Sequence, residues 1–336
     1  MELNLLEDKK LIWRSERVLT IVWICVWSYV GVAARVLLNE ASTAIEDTQG
    51  APTILTSMGL SYFLANVFGC FVMGFAQPVK TKEHEAFWTG VTTGFCGCCT
   101  TFASWEIDLA QQYLGQMAAN ATIMFLVQLT TSIASFIAGR HVGLYFNPTH
   151  GILKHWKKAL DHANKMAQKE DDVNGQWQMA AQALNSIEFK TTLQSNIESP
   201  SVWIVYFIAL LITILVVLLA AFLGEGYLAV AFGPFGALLR YVLGLRFNKS
   251  KDFPVGTLIA NVAASILDAI AVVAMPMSSE WVKQALMTGF CGSLSTVSSW
   301  MNEIYGIEST YHHVGYIATT HVITQTICLL ILGLAK

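Results

Sequence analysis

Residues 94–105 read GFCGCCTTFASW, and residues 289–300 read GFCGSLSTVSSW. At an offset of 195, seven of the twelve positions are identical, and the same offset lays Ala65-Asn66-Val67 on Ala260-Asn261-Val262. Segments this rich in glycine and hydroxyl residues are weak helix formers, yet both lie inside apolar sequence. A segment of that kind present twice points to a duplicated membrane domain, and such duplications place a shared site at the interface between copies.

The composition agrees. Of 336 residues, 54% are hydrophobic and only 13% charged, against about 25% charged in soluble domains. The mean hydropathy is +0.51. A net charge of −3 says little about partners, and no nucleic-acid partner is expected. All seven cysteines fall in apolar segments, which argues against a secreted disulfide framework. The Cys96/Cys99 spacing is open to a metal or redox reading, with small-residue packing as the plainer one. The first eighteen residues carry mixed charge and lack the core of a signal peptide, so the first span is expected in the mature chain.

A spanning helix needs about 20 mostly apolar residues. Nine stretches qualify: 18–38, 57–76, 86–105, 117–139, 201–223, 226–246, 255–275, 281–300 and 313–335. The expected fold is an all-α membrane protein with a four-helix repeat over 1–140, a cytosolic amphipathic linker over 141–200, a linker span at 201–223 and a second four-helix repeat over 224–336. The third helix of each repeat carries the duplicated motif and is expected to break in mid-membrane, which is tolerated only where protein or a cavity shields the backbone. With four helices per repeat, direct fusion would leave both copies pointing the same way; one extra crossing inverts the second. The basic residues support this. Lys9, Lys10, Arg14, Arg17, Lys80, Lys82, those of 140–200, Arg246, Lys249 and Lys251 all fall on one side of a nine-span arrangement, with Lys283 the main basic exception on the other. The positive-inside rule then puts the N-terminus in the cytosol and the C-terminus outside.

Several residues suit an ion pathway. Arg35 and Arg240 each follow a glycine by four residues near the end of a span, and arginine there is costly and usually functional, although a helix-tying role is open. Asn66 and Asn261 must find partners or face a wet cavity; each carboxamide offers two donors to an anion, or one helix–helix bond. The hydroxyls Thr100, Thr101 and Ser104 match Ser295, Thr296 and Ser299, with Ser298 beside them; such weak multiple sites suit conduction of an anion. Exposed carbonyls at the break would instead suit a cation. Phe102 and Trp105 are matched by Val297 and Trp300, whose ring edges are electropositive, although spacing alone also fits plain packing. Thr122 and Thr320 represent the polar faces of the fourth helices. Asp268 and His321 lack counterparts in the first repeat and invite a proton-coupled reading.

Taken together, these features resemble the fluoride channel family: bacterial Fluc/CrcB proteins and the duplicated fungal and plant fluoride exporters. The family pattern is a glycine-x-x-x-arginine in the first helix, an asparagine in the second and a G-F-x-G-x-x-T-T-F-S-T-F break in the third. This chain has Gly31/Arg35, Asn66 and GFCGCCTTFASW, then Gly236/Arg240, Asn261 and GFCGSLSTVSSW, with Asp108 and Glu303 at the family's acidic position. The resemblance implies an antiparallel pseudo-dimer, here one monomeric chain in the bilayer with no obligate protein partner. It implies two narrow fluoride pathways lined by the asparagines, third-helix aromatics and hydroxyls, and no cofactor beyond a central structural sodium ion. That ion would sit on backbone carbonyls, here of Gly97, Thr100, Gly292 and Ser295. Val297 departs from the family phenylalanine, so one working pathway around Phe102 and one degenerate pathway are expected.

The resulting expectation is a passive fluoride channel at the plasma membrane, conferring fluoride resistance, and not an enzyme. Hydrogen fluoride enters neutral, ionises in the cytosol and is trapped; an inside-negative potential then expels the anion through a channel. The alternatives are a proton-coupled anion antiporter using Asp268 or His321, and a non-transporting membrane scaffold.

Overall fold

The computed structural model describes residues 2–46, 62–147, 225–275 and 280–335. The linker span 201–223, the polar segment from residue 148 onward and the first residues of the expected 57–76 helix lie outside the described residues. Among the described residues every element is helical. In the first half these are α1 (Glu2–Glu46), α2 (Phe63–Val79), α3 (Glu85–Thr89, widening through π-helical turns at Gly90–Cys96 to Gly97–Cys99), α4 (Ala103–Leu114) and α5 (Ala118–Tyr145). In the second they are α6 (Glu225–Phe247), α7 (Val255–Ala274), α8 (Glu280–Lys283, π-helical over Gln284–Cys291, then Gly292–Leu294), α9 (Ser298–Gly306) and α10 (Thr310–Leu334).

Among the described residues, five helical stretches are long and apolar enough to cross a membrane: Glu16–Ile45, Ala118–Tyr145, Leu228–Phe247, Val255–Ala274 and Thr310–Leu334; Phe63–Val79 is a shorter apolar helix. The burial pattern is that of a protein in lipid. Ile123, Leu126, Leu239, Val242, Val322 and Leu330 face outward, while Asn66, Thr100, Glu106, Gln128, Asn261, Asp268 and Thr320 are buried. In water the hydrophobic effect would drive the opposite arrangement; in a bilayer polar side chains face the bundle interior.

Both third helices break where the sequence weakens them. Thr100 and Ser295 leave the helix for extended backbone, at φ −94°, ψ 151° and φ −77°, ψ 160° respectively. The chain re-enters a helix three residues later, as α4 and α9. The broken halves then cross over. The helix α4 of the first half packs on α7 and α10 of the second, and α9 of the second packs on α2 and α5 of the first. The first helices of the two halves, α1 and α6, also pack together. Close approach of α1 to α3 and of α6 to α8 depends on Gly31 and Gly236, where a Cβ would collide with the carbonyls of Phe95 and Phe290.

Candidate functional site

The two breaks meet at the centre of the molecule and complete each other. Leaving a helix orphans the first amides of the next one, and those need acceptors. The Thr100 hydroxyl accepts from Val297 N at 3.2 Å and Ser298 N at 3.1 Å. Reciprocally, the Ser295 hydroxyl accepts from Phe102 N at 3.2 Å and Ala103 N at 3.1 Å. Each half therefore caps the half-helix of the other. Thr101 and Thr296 close local turns with Ser104 (3.1 Å) and Ser299 (3.4 Å). Thr100 also lies 3.3 Å from Thr296 and 3.1 Å from Ser298, hydroxyl to hydroxyl, so the hydroxyls form one connected cluster.

Asn66 and Asn261 hold the breaks open. Asn66 Oδ1 accepts from Thr101 N at 2.8 Å while its Nδ2 donates to Thr101 O at 3.2 Å. Asn261 makes the same pair of bonds to Thr296 at the same distances. One Nδ2 proton of each amide is committed to backbone, which leaves one donor for another partner.

The arginines cross between halves as well. Arg35 donates to Thr288 O and lies over Gly292; Arg240 donates to Thr93 O at 2.8 Å and lies over Gly97. A side chain at either glycine would collide with the guanidinium. Arg240 Nε also donates to Ser293 O at 3.0 Å, and its Nη1 lies 3.5 Å from Ser299 Oγ. Each arginine thus ties the opposite broken helix, satisfying carbonyls freed in its π-helical turns. Arg240 also borders a cavity of about 290 Å³ lined by Gln77, Lys80, Thr92, Thr93, Ser299, Asn302 and Glu303.

The aromatic residues gather in one cluster. Phe102 meets Trp300 edge-on, with centroids 5.2 Å apart, and Trp105 at 5.8 Å; the two tryptophans are 6.4 Å apart. All three rings, and Val297, are buried. Neither indole N–H has a hydrogen-bond partner.

Thr122 is not part of this assembly. It lies on the exposed face at the start of α5, donating to Ala118 O at 2.9 Å. The buried polar residues of that helix are Gln128 and Ser132, joined by a 2.9 Å hydrogen bond. Thr320 is buried, with its hydroxyl donated to Tyr316 O at 2.7 Å. Asp268 is buried beside Cys291 and Arg35.

Two polar clusters escaped the sequence reading. Glu303 accepts from Asn248 at 3.1 Å, from Thr257 and, on its second oxygen, from Tyr316 at 2.8 Å. Glu106 of α4 lies 2.8 Å from His321 of α10. A carboxylate one position after Trp105, facing the helix's buried side, was the available signal for the second cluster; nothing linear connects it to His321.

Comparison with known proteins matches this chain twice to one family. The family model described as CrcB-like protein, Camphor Resistance (CrcB), fits residues 22–140 and again residues 227–334. Fluoride export proteins 1 and 2 of Saccharomyces cerevisiae are 28% and 27% identical to it over 91% of this chain and 90% of their own lengths. The Fluoride-specific ion channel FluC of Bordetella avium is 38% identical over 32% of this chain and 90% of its own length, so one half of this chain suffices to match it. No solved structure matches significantly.

Proposed function

The chain belongs to the CrcB-like family, and on that premise we propose that it is a passive, fluoride-selective channel exporting cytosolic fluoride across the plasma membrane. The observation that carries the reading is similarity along nearly the whole chain to proteins named for fluoride export. The buried site fits that cargo. A small anion leaving water needs replacement donors, and the spare Asn66 and Asn261 amide protons, the hydroxyl cluster and the aromatic edges offer neutral ones. Neutral donors bind weakly enough for the ion to leave again. An inside-negative potential supplies about 2.3 kcal/mol per 100 mV for each exported charge, so no fuel is required.

The topology in this proposal is two inverted repeats of four helices joined by a ninth span, N-terminus cytosolic, acting as a monomeric pseudo-dimer. The reciprocal capping of α4 and α9 supports a two-fold relation between the halves. One working pathway is read around Phe102 and Trp300, with the Val297 side degenerate. Ser104, Ser298, Ser299, Thr101, Thr296 and Thr320 are read as its hydroxyl supply, and Arg35 and Arg240 as sources of positive potential.

A structural sodium ion fits the centre. The amides of Thr101, Ser104, Thr296 and Ser299 turn to side-chain oxygens. The carbonyls of Gly97, Thr100, Gly292 and Ser295, four residues earlier, therefore lack their usual helical donors and are free to hold a hard cation. Such an ion would lock the two breaks together.

Reconstitution into potassium-loaded liposomes tests the function. With valinomycin present, the protein is expected to release fluoride and retain chloride, with flux following voltage. Equal chloride release, or fluoride uptake driven by a pH gradient alone, would overturn the reading.

A further inference from the structure

The pair Glu106–His321 is not used by the pathway just described. Glu106 is fully buried and His321 is 17% exposed, with 2.8 Å between Oε1 and Nδ1. The two residues come from different halves: Glu106 sits in the first turn of α4, just after the break, and His321 near the middle of α10. At the equivalent positions of the other copy stand Met301 and Leu129, so the pair exists once.

Its surroundings connect it to the aromatic cluster. The His321 ring stacks on Phe125 at 3.9 Å, and Phe125 stacks on Trp105 at 5.4 Å with planes 19° apart. Trp105 in turn meets Phe102 and Trp300. Three ring contacts therefore link a proton-binding side chain to the rings at the proposed narrowing. The other titratable groups nearby are few. Asp108 lies on α4 itself; Tyr62, ahead of α2, and Cys328 of α10 feel the charge of Glu106; Asp268 of α7 acts on Cys328. The helix α5 presents the Phe125 ring, which does not titrate.

A carboxyl taken out of water is held either neutral by a proton or beside a counter-charge. Protonated His321 supplies it, and the pair is then neutral. When His321 loses its proton, the pair carries one negative charge beside an anion pathway, where it repels the cargo. The stack also loses its ion-paired anchor. We propose that Glu106 and His321 form a protonation-sensitive positioning pair that sets the charge and ring stack beside the aromatic cluster, so that fluoride flux rises as pH falls. The direction matches need, since acid outside drives hydrogen fluoride in. The proposal rests on the fluoride-channel reading, but the pair can be tested apart from it.

Fluoride efflux from liposomes, at equal pH on both faces and fixed voltage, is measured between about pH 5.5 and 8, the range in which histidine titrates. The full chain is expected to conduct about threefold faster, or more, at the acid end. Glu106→Gln removes the negative charge and is expected to stay fast and flat. His321→Gln removes the imidazole that shares the proton, and the rise in flux across the histidine range is expected to vanish. A flat wild-type profile, or an unchanged slope in both variants, overturns the proposal. Net fluoride movement driven by a pH difference alone would mark coupled transport instead and also overturns it.

Thermal unfolding in detergent reads the pair without flux. His321→Gln is expected to lower the midpoint more than the double variant Glu106→Gln/His321→Gln, because only the single change takes the ring nitrogen away from a buried carboxyl. Additive losses mean that the residues do not interact and sink the idea. Should no variant or wild type release fluoride while the unfolding coupling holds, it is the functional reading that fails, and the pair stands.

Discussion

The surroundings of Arg240 and Arg35 began as copies of one another and now differ in kind. Around Arg240 the cavity is lined by Gln77, Lys80, Thr92 and Asn302, with Met73 among them. At the matching positions around Arg35 stand Val272, Met275, Met287, Ile107 and Asp268. Four polar residues on one side correspond to four apolar ones on the other, and a methionine is matched by a buried acid. Meanwhile Thr93 and Thr288, Gly97 and Gly292, Ser299 and Ser104, and the asparagines and arginines have stayed. Among the retained residues, the arginines bond from each half to Thr288 and Thr93 of the other, while the asparagines bond the break of their own half. The changed ones line space. Each broken helix is capped by the other copy, which keeps both halves necessary as scaffold; on the proposed single pathway only one lining has to admit water and ions.

The sharpest way to break that comparison is at the aromatic cluster. Phe102→Ile is expected to cut liposome fluoride efflux by about a hundredfold, since it removes a ring from the narrowing itself. Val297→Ile, at the matched position, is expected to leave efflux within about a factor of two. Equal losses would mean two working pathways and a comparison without functional content.

The scaffold should behave in the opposite, symmetric manner. Thr100→Ala and Ser295→Ala each leave two buried amides without an acceptor, costing about 2–4 kcal/mol. Thermal unfolding in detergent should show similar losses for both, while Thr100→Ser restores most of the stability. A large loss for one and none for the other would show that the halves no longer depend on each other equally.

Much of this arrangement was legible in the sequence, and the failures have identifiable causes. The motif at 94–105 and 289–300 located both breaks because weak helix formers recur there inside apolar runs, and the structure turns the chain at Thr100 and Ser295. The asparagines were readable as buried polar residues, but not their partners. Each amide bonds the backbone of the break 35 residues away through its oxygen and one of its protons, which no local pattern encodes. Thr122 was misplaced for a different reason. The helix α4 has 12 residues and α9 has 9, so the register between copies slips by three before the fourth helices begin. That slip aligns Gln128 with Thr320 and Ser132 with Thr324, all buried, and moves Thr122 to the outside. The contact of Glu106 with His321, 215 residues apart, follows only from the crossing of α4 into the second half.

The cavity offers a gentler test. Asn302→Ile transplants the lining found on the Arg35 side and is expected to slow efflux by about threefold to tenfold, by drying the approach without touching the rings. The reverse change, Ile107→Asn, puts an amide into an apolar cluster with Ala110, Ala269, Cys328 and Leu332. It should lower stability and leave flux unchanged. If Ile107→Asn raised flux, the apolar lining would be holding a second route shut.

Asp268 is the change for which the smallest effect is expected. Its Oδ1 is buried with no hydrogen-bond partner, and the residue lies near Arg35. Ionised, an acid there would offset the positive potential that the arginine presents to an anion, and Arg240 has only Met73 at the equivalent place. On a single working pathway that offset is harmless, because the Arg35 side carries no current. Asp268→Met, which restores the residue of the other copy, should therefore change fluoride efflux by less than about twofold. It should not reduce stability by much either, since replacing a poorly paired buried carboxylate with an apolar side chain is often neutral or favourable. A severalfold rise in efflux would carry the opposite meaning: the Arg35 side would be a pathway that a single carboxylate keeps closed, and the two halves would differ by regulation instead of by decay.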